Sequence, residues 1–385
     1  MKRAMASLAT VGLTLAALTL VALSFPGVAS AGQVWASEPV PLPANAGQEA
    51  ALSDVSCVST AFCVAVGEYT YARALRKAHA LAESWNGSAW SVQHLAKPGS
   101  TWNSSLNGIT CLSARDCIAV GTIGRGLGGV LIERWNGSTW AFQPSPPLGS
   151  GFSELDGIFC VSAVSCTAVG GYDPGSGTTV VLAEHWDGST WTLQPAPGPA
   201  GADLADLNGI FCAAANQCVA VGEYNTTAAG EHALAEYWNG SSWTPQALPG
   251  PAGSQTESLV SIDCAAADSC IAVGGDIGGD GSAALAEHWD GASWTIQATP
   301  VPSGGQDVLH SVSCASPMSC TAVGLYARGA LAEYWNGTTW RQVQTTHPAS
   351  HIDLSGVSCV FARNCAAVGN YRKSGFHEQA VAERE

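Results

Sequence analysis

The pattern Cys-x5-Cys occurs seven times in this 385-residue chain and uses all 14 cysteines: Cys57/Cys63, Cys111/Cys117, Cys160/Cys166, Cys212/Cys218, Cys264/Cys270, Cys314/Cys320 and Cys359/Cys365. The first cysteines of successive pairs lie 45 to 54 residues apart. A repeat of about 50 residues built from short strands is the period of a propeller blade. Stacked helix pairs are the competing architecture at this period. The segments lack helical periodicity and are rich in Val, Thr, Trp and Gly, which argues against helices.

One repeat shows the plan. From Leu207, "LNGIFC" reads as a first strand (a), "AAANQ" as a turn and "CVAVGEY" as strand b. A variable loop, Asn225 to Glu231, leads to "HALAEYW" (c), a turn at Asn239-Gly240, and "SWTPQAL" (d). Asn-Gly and Asp-Gly suit a type I′ hairpin, in which both central residues need positive φ. With a loop of two or of four residues, Trp238 and Trp243 fall on one face together with Glu236. The Trp-[Asn/Asp]-Gly-x-x-Trp turn occurs six times and takes twelve of the 14 tryptophans. Small residues recur on strand b, as Ala65-Val66-Gly67, Ala119-Val120-Gly121 and Ala220-Val221-Gly222. A gradient from Ala-Val-Gly to Trp suits a wedge that widens away from an axis. The tryptophans then serve core and turn packing, with sugar stacking as the functional alternative.

The seventh repeat stops at "AVAERE" and has no fourth strand. Before the first cysteine pair, "GQVWASEPVPLP" matches strand d and its exit, with Trp35 in the place of the second Trp of the turn. The expectation is an all-β, seven-bladed propeller of four-stranded antiparallel blades, in which the N-terminal strand completes the last blade. Such closure removes free sheet edges. The domain plan is a signal peptide over 1–31 and one propeller over 32–385, with residues 32–44 closing the last blade and the seven repeats running from about 50 to 385.

The leader reading rests on Lys2 and Arg3, the apolar run Val11 to Leu23, and Ala29-Ser30-Ala31 as a small-residue cleavage site. Export agrees with local disulfides, one closing the a–b hairpin of each repeat; zinc sites use closer Cys spacing and mixed Cys/His sets. A formal charge of −15 argues against nucleic acid and anionic membrane surfaces as partners. No second long apolar run follows the leader, so a secreted monomer without membrane insertion is expected.

The repeat resembles that of secreted bacterial β-propeller proteins built from SC-x5-C-x-AVG … LAE-x-WNG-[ST]-x-W units. Val55-Ser56-Cys57, the Ala-Val-Gly after every second cysteine and the six Trp turns carry the resemblance. It extends over nearly the whole chain after the leader and implies the fold and an exported location, with no reaction attached. A looser similarity runs to sialidase-type Asp-box and kelch propellers. An Asp box reads Ser-x-Asp-x-Gly-x-Thr-Trp; Gly240 keeps its place three before Trp243, but Asn239 stands one position too close. There is no Phe/Tyr-Arg-Ile-Pro segment of the kind sialidases carry.

Candidate chemistry is sparse. Glu83, Glu133, Glu184, Glu236, Glu287, Glu333 and Glu383 recur on strand c. Seven copies read as structural acceptors rather than catalysts, because acid–base chemistry needs unlike environments. Position-breaking residues before the first Trp include His185 and His288. The loop at 274–281, with Asp276 and Asp280, offers oxygen ligands but not a full calcium set. No cofactor, metal or catalytic residue is assigned. The sequons at Asn86, Asn136, Asn239 and Asn336 follow from the turn and are not read as glycosylation sites. Variable loops on a rigid frame usually carry binding. Tyr69, Tyr172, Tyr224, Tyr326 and Tyr371 recur at the end of strand b on that face and are the expected ligand contacts. A polar ring at the start of strand a, Ser53, Asn107, Asp156, Asn208, His310 and Ser355, is a second candidate. The expected function is a non-enzymatic scaffold for an extracellular glycan or protein. The alternatives are a lyase or glycosidase at the loop face, favoured by carboxylates confined to one sector of the funnel, and a structural spacer.

Overall fold

Seven four-stranded antiparallel sheets follow one another around a ring, six of them built from consecutive strands. The computed structural model describes residues 35–44, 46–71, 77–96, 103–124, 128–149, 151–227, 230–278, 281–300, 307–327, 329–345, 351–373 and 377–385. The expected leader lies outside the described residues. Strands are numbered β1 to β28 in chain order. The first blade runs outward through β2 (Ala46–Ser59), β3 (Phe62–Tyr71), β4 (Ala78–Trp85) and β5 (Trp90–Val92). The innermost strands of the other blades are β6 (Asn103–Ser113), β10 (Ser153–Ser162), β14 (Leu204–Ala214), β18 (Ser254–Ala266), β22 (Val308–Ser316) and β26 (Ile352–Phe361). Each packs on the next, and β26 packs on β2, so the ring is closed.

Closure uses both ends of the chain. β1 (Ala36–Glu38) pairs antiparallel with β28 (His377–Arg384), giving the order β1-β28-β27-β26, where β27 is Asn364–Lys373. Trp35 is fully buried against Val323, Ala332, Leu354 and Val381 at the junction of the sixth and seventh blades. Arg384 stands 4.8 Å over the Trp85 ring, and its Nη2 donates to the Thr60 carbonyl at 3.3 Å, tying the seventh blade to the first.

Each cysteine pair is a disulfide across register partners of its own a–b hairpin: Cys57–Cys63, Cys111–Cys117, Cys160–Cys166, Cys212–Cys218, Cys264–Cys270, Cys314–Cys320 and Cys359–Cys365. The bridges are more than clips across a surface hairpin. The strand b cysteine of each pair is sealed inside the protein: Cys63, Cys117, Cys166, Cys218, Cys270, Cys320 and Cys365 are all 2% exposed or less. Each belongs to the apolar layer between its own blade and the preceding one, as Cys117 does with Val64 and Val66 of the first blade, and Cys365 with Val323 of the sixth. These seven cysteines are therefore core residues. Their sequence pattern predicted the pairing but not this burial, because Cys-x5-Cys spacing fixes the hairpin and leaves open which face of it meets the neighbouring blade.

The same row continues outward to the tryptophans, as in Cys57–Cys63–Trp85–Trp90. Paired tryptophan rings sit 5.5 to 5.8 Å apart, tilted by 40 to 50°. The indole N–H of the first donates to a carbonyl of the disulfide turn: Trp85 to Thr60 and Trp135 to Ala114, both at 3.1 Å. The tryptophans therefore pin the outer hairpin to the inner one.

The Asn-Gly turn is not the type I′ hairpin expected, and of the two loop lengths left open it is the four-residue one. Trp85 pairs with Trp90, which leaves four residues in the loop, and of these only Gly87 has positive φ (93°). Asn86 acts through its side chain: Oδ1 accepts from the backbone N–H of Ser88 and of Ala89, both at 3.0 Å. Asp187 does the same with Ser189 and Thr190, at 2.8 Å each. The Asn/Asp preference is thus one for a turn-capping acceptor rather than for left-handed backbone. The b–c connection of the fourth blade also differs, since pairing continues as far as Thr226 with Gly230 and leaves only 227–229 between the strands.

Candidate functional site

The repeated Ala-Val-Gly on strand b has a consequence at the axis. In every blade the innermost strand carries a register shift after a leucine: Leu52/Asp54, Leu106/Gly108, Leu155/Gly157, Leu207/Gly209, Leu259/Ser261, Leu309/Ser311 and Leu354/Gly356. A bulge brings the inner strand's backbone against the glycine beside it. A Cβ on Gly67, Gly222 or Gly324 would lie 2.0 Å from the carbonyl oxygen of Ala51, Asp206 or Val308, respectively. Glycine is needed here for space, not for an unusual φ.

Bulges re-aim side chains. The seven bulged residues are Ser53, Asn107, Asp156, Asn208, Val260, His310 and Ser355, and all of them line one cavity of about 470 Å³ bounded by all seven innermost strands. The six polar residues expected as a ring are thus brought together, with Val260 as the seventh member. The frame is laced by side chains reaching the next blade's backbone. Asp54 Oδ2 accepts from Ile109 N (2.9 Å), Ser56 Oγ from Cys111 N (3.0 Å), Asp263 Oδ2 from Cys314 N (2.7 Å) and Ser358 Oγ from Cys57 N (3.0 Å). Burial pushes Asp54 up to about 7 and Asp263 to about 6, against the lowering pull of these N–H donors. At the Ser56 level the third and fourth blades carry Phe159 and Phe211 instead, their ring centroids 4.6 Å apart.

The ring is chemically uneven. In the third and fourth blades Glu154, Asp156 and Asp206 bring carboxylate oxygens within 4.8 Å of one another. Glu223 joins them as the register partner of Asp206. Burial first, then the neighbouring carboxylates, raises Asp206 to about 8 and Asp156 well above the usual carboxylate range. Asn107 Nδ2 donates to Asp156 Oδ1 at 2.8 Å. In the sixth and seventh blades His310 Nδ1 lies 2.8 Å from Asp353 Oδ1, and both residues line the cavity. No Lys or Arg is among its described lining residues.

Reading single repeats picked out Asp156 but missed Glu154, Asp206 and Glu223. Aligning all seven repeats on the strand a leucine exposes the first two. The position before it reads Ala51, Ser105, Glu154, Asp206, Ser258, Val308 and Asp353.

The expected tyrosines sit elsewhere. Tyr69 is buried, 5.7 Å centroid to centroid from His79. Tyr172, Tyr224, Tyr326 and Tyr371 are half-buried, each packed against the apolar cluster of its own blade. Tyr371 and Val40 help line a separate surface cavity of about 300 Å³ beside β1. The expected loop at 274–281 is mostly strand, since Ser269–Gly278 and Gly281–Trp289 pair as far as Gly278 with Gly281; Asp276 within it accepts a hydrogen bond from Ser254, while Asp280 lies outside the described residues. His185 is partly buried, 3.5 Å from Thr167 Oγ1.

The strand c glutamates are all buried. Three meet the connection leaving the preceding blade. Glu184 Oε1 accepts from Ser145 Oγ at 2.6 Å, Glu236 Oε1 from Gly198 N at 3.0 Å, and Glu133 from the Ala96 backbone N–H.

Neither a family model nor a curated protein matches this chain. Solved structures match across the fold. A protein of unknown function from Dyadobacter fermentans is 8% identical, with a TM-score of 0.53, covering 90% of this chain and 97% of that one. The RRP9 WD40 repeats are 10% identical with a TM-score of 0.56, covering 92% and 98%. A PL25 ulvan lyase bound to a glucuronate–sulfated rhamnose unit is 9% identical with a TM-score of 0.50, covering 91% and 94%. At these identities the likeness is one of fold, and propeller folds host unrelated activities.

Proposed function

We propose that this chain is a secreted, disulfide-stabilised binding scaffold whose ligand sits at the mouth of the central channel. The observation that carries the reading is the bulged ring. Seven equivalent backbone positions present Ser, Asn, Asp, Asn, Val, His and Ser to one cavity. A repeated frame with unlike residues at its aimed positions is how a rigid scaffold encodes a ligand. Seven disulfides fit an oxidising location, and among the described residues no helix is long and apolar enough to cross a membrane.

The mouth favours a ligand of particular chemistry. Hydroxyl, amide, imidazole and carboxylate groups suit the hydroxyls of a neutral glycan. With no Lys or Arg among its described lining residues, the mouth offers a uronate or sulfate polymer no countercharge, so the lyase-type substrate of the ulvan lyase is disfavoured despite the shared fold. The half-buried tyrosines at the strand b ends stand as an outer rim of contacts, with an extracellular protein as the other ligand class.

One observation favours a second reading, a glycosidase. Carboxylates gathered in one sector, with Asp206 held protonated near neutral pH, match the unlike pair such chemistry needs. Screening the purified protein on a glycan array, then assaying each hit for reducing-sugar release, separates the two. Retained neutral glycans without release support the scaffold. Release that disappears in Asp206→Asn supports the hydrolase. Retention of polyanionic glycans alone contradicts both.

A further inference from the structure

We infer that the face of the ring carrying the disulfide turns docks a second copy of this chain, two rings stacking face to face about a two-fold axis that passes through the sixth blade. The inference is independent of what the channel mouth holds. Strands alternate direction within each blade, so the a–b turns and the c–d turns share one face. Four of the eight large apolar side chains exposed among the described residues lie at the disulfide turns: Leu112, Val164, Met318 and Phe361. Met318 and Phe361 are the most open of these, at 68% and 64%, and stand on adjacent blades. At the position of Phe361 the first three blades carry Ser59, Ser113 and Ser162, whose Oγ atoms each accept from the backbone N–H two residues on. The seventh blade has an exposed aromatic ring in place of that cap, and Arg363, two residues on, takes a φ of 59°. Phe361 belongs to none of the seven apolar clusters, so its ring serves no packing within the chain.

Charge says what covers this face. Its exposed carboxylates stand in the third blade, at Asp187, and in the fifth, at Asp268 and Asp290. The last two sit on adjoining turns, since a Cβ on Gly291 would lie 2.9 Å from that of Asp268. Turn N–H groups hold Asp187 at about 2 and Asp290 below its usual range, so both stay charged. The arginines stand in the second blade, at Arg115, in the sixth, at Arg341, and in the seventh, at Arg363. Arg341 and Arg363 lie 5.0 and 4.9 Å over the Tyr334 ring, which fixes where their charge sits. The remaining pair in the second blade, Arg134 and Asp116, neutralises itself at 2.9 Å. When two seven-bladed rings stack on a two-fold axis, one blade meets its own copy and the other six meet in three pairs, each contact made twice. Seven such registers exist. Only the register through the sixth blade sets both acidic blades against arginine, the fifth against the seventh and the third against the second. It also brings the blade of Leu112 onto that of Val164, and Met318 onto the blade of its own copy. Complementary charge of this kind selects one docking register and rejects the like-charged ones.

The test is the oligomeric state of the purified protein, by sedimentation equilibrium and light scattering. A dimer with a Kd of about 10⁻⁵ M or tighter is expected. Asp268→Arg opposes like charges twice per dimer and should weaken it by about tenfold or more, and Arg363→Asp should do the same, each with far-UV circular dichroism unchanged. An equimolar mixture of the two variants opposes unlike charges again at both joints. It should recover the dimer as a heterodimer holding one chain of each variant, seen by native mass spectrometry. The proposal is overturned if the parent protein stays the monomer expected from the sequence. It is equally overturned if either variant dimerises as strongly as the parent, which places the contact elsewhere, or if the mixture fails to recover the dimer, which excludes this register.

Discussion

At the residue scale, the glycine of Ala-Val-Gly carries more of the design than the more visible tryptophans. It yields the space into which strand a bulges, and the bulge turns one residue per blade toward the axis. Gly222→Ala places a Cβ 2.0 Å from the Asp206 carbonyl. Backbone cannot step aside as a side chain would, so a loss of about 1–3 kcal/mol or more is expected in urea unfolding. Gly250→Ala, which meets only the end of Glu257 at 3.4 Å, should change stability by under about 0.5 kcal/mol. The tryptophans act through packing: Trp243 is 2% exposed and sits 5.7 Å from Trp238. Trp243→Ala should cost about 3–5 kcal/mol in the same measurement. The packing role of Trp243 was legible from its spacing in the turn. The role of Gly222 was not, because the clash it avoids is with a carbonyl on the neighbouring strand, and a one-residue bulge leaves no mark in the strand's apolar pattern.

At the element scale, strand c places a buried glutamate in each blade. Burial raises Glu83, Glu133, Glu287 and Glu333 to about 8, and Glu184, Glu236 and Glu383 to about 7. An unfolded glutamate titrates near ~4.3. Between roughly pH 4.5 and 8 the folded chain therefore holds protons that the unfolded chain has released, and stability falls as pH rises through that window. Melting followed by circular dichroism should give a higher midpoint at pH 5 than at pH 8, and Glu83→Gln should flatten the slope. The exposed turn acids pull the other way only in stronger acid: Asp187 is held at about 2 by the N–H groups of Thr190 and Ser189. Of these glutamates, expected as structural acceptors, Glu184 and Glu236 accept a donor from the preceding blade's connection, whereas both carboxylate oxygens of Glu83, Glu287, Glu333 and Glu383 are sealed with no hydrogen-bond partner among the described residues. The turn type was misjudged at this scale. Asn-Gly fits both a left-handed pair and a side-chain cap, and only the Trp85–Trp90 register separates them.

At the scale of the whole molecule, a ring resists opening only as well as its last joint. That joint is three residues of β1 on β28, the buried Trp35, and Arg384 stacked on Trp85. Removing residues 33–41 uncovers β28 as a free edge and exposes the faces that Trp35 covers. A lower melting temperature and aggregation are expected, visible by light scattering. The closure was legible because "GQVWASEPVPLP" fills a strand missing from the last repeat. The site was less so, because Glu154 and Asp206 meet only when strands from successive blades lie side by side. The claim that function resides at the bulged ring is tested most directly by comparing the glycan-array profile of the parent protein with that of an Asn208→Ala/His310→Ala double variant. The account predicts that neutral glycans held by the parent are lost from the double variant while its melting temperature is kept; an unchanged profile would contradict it.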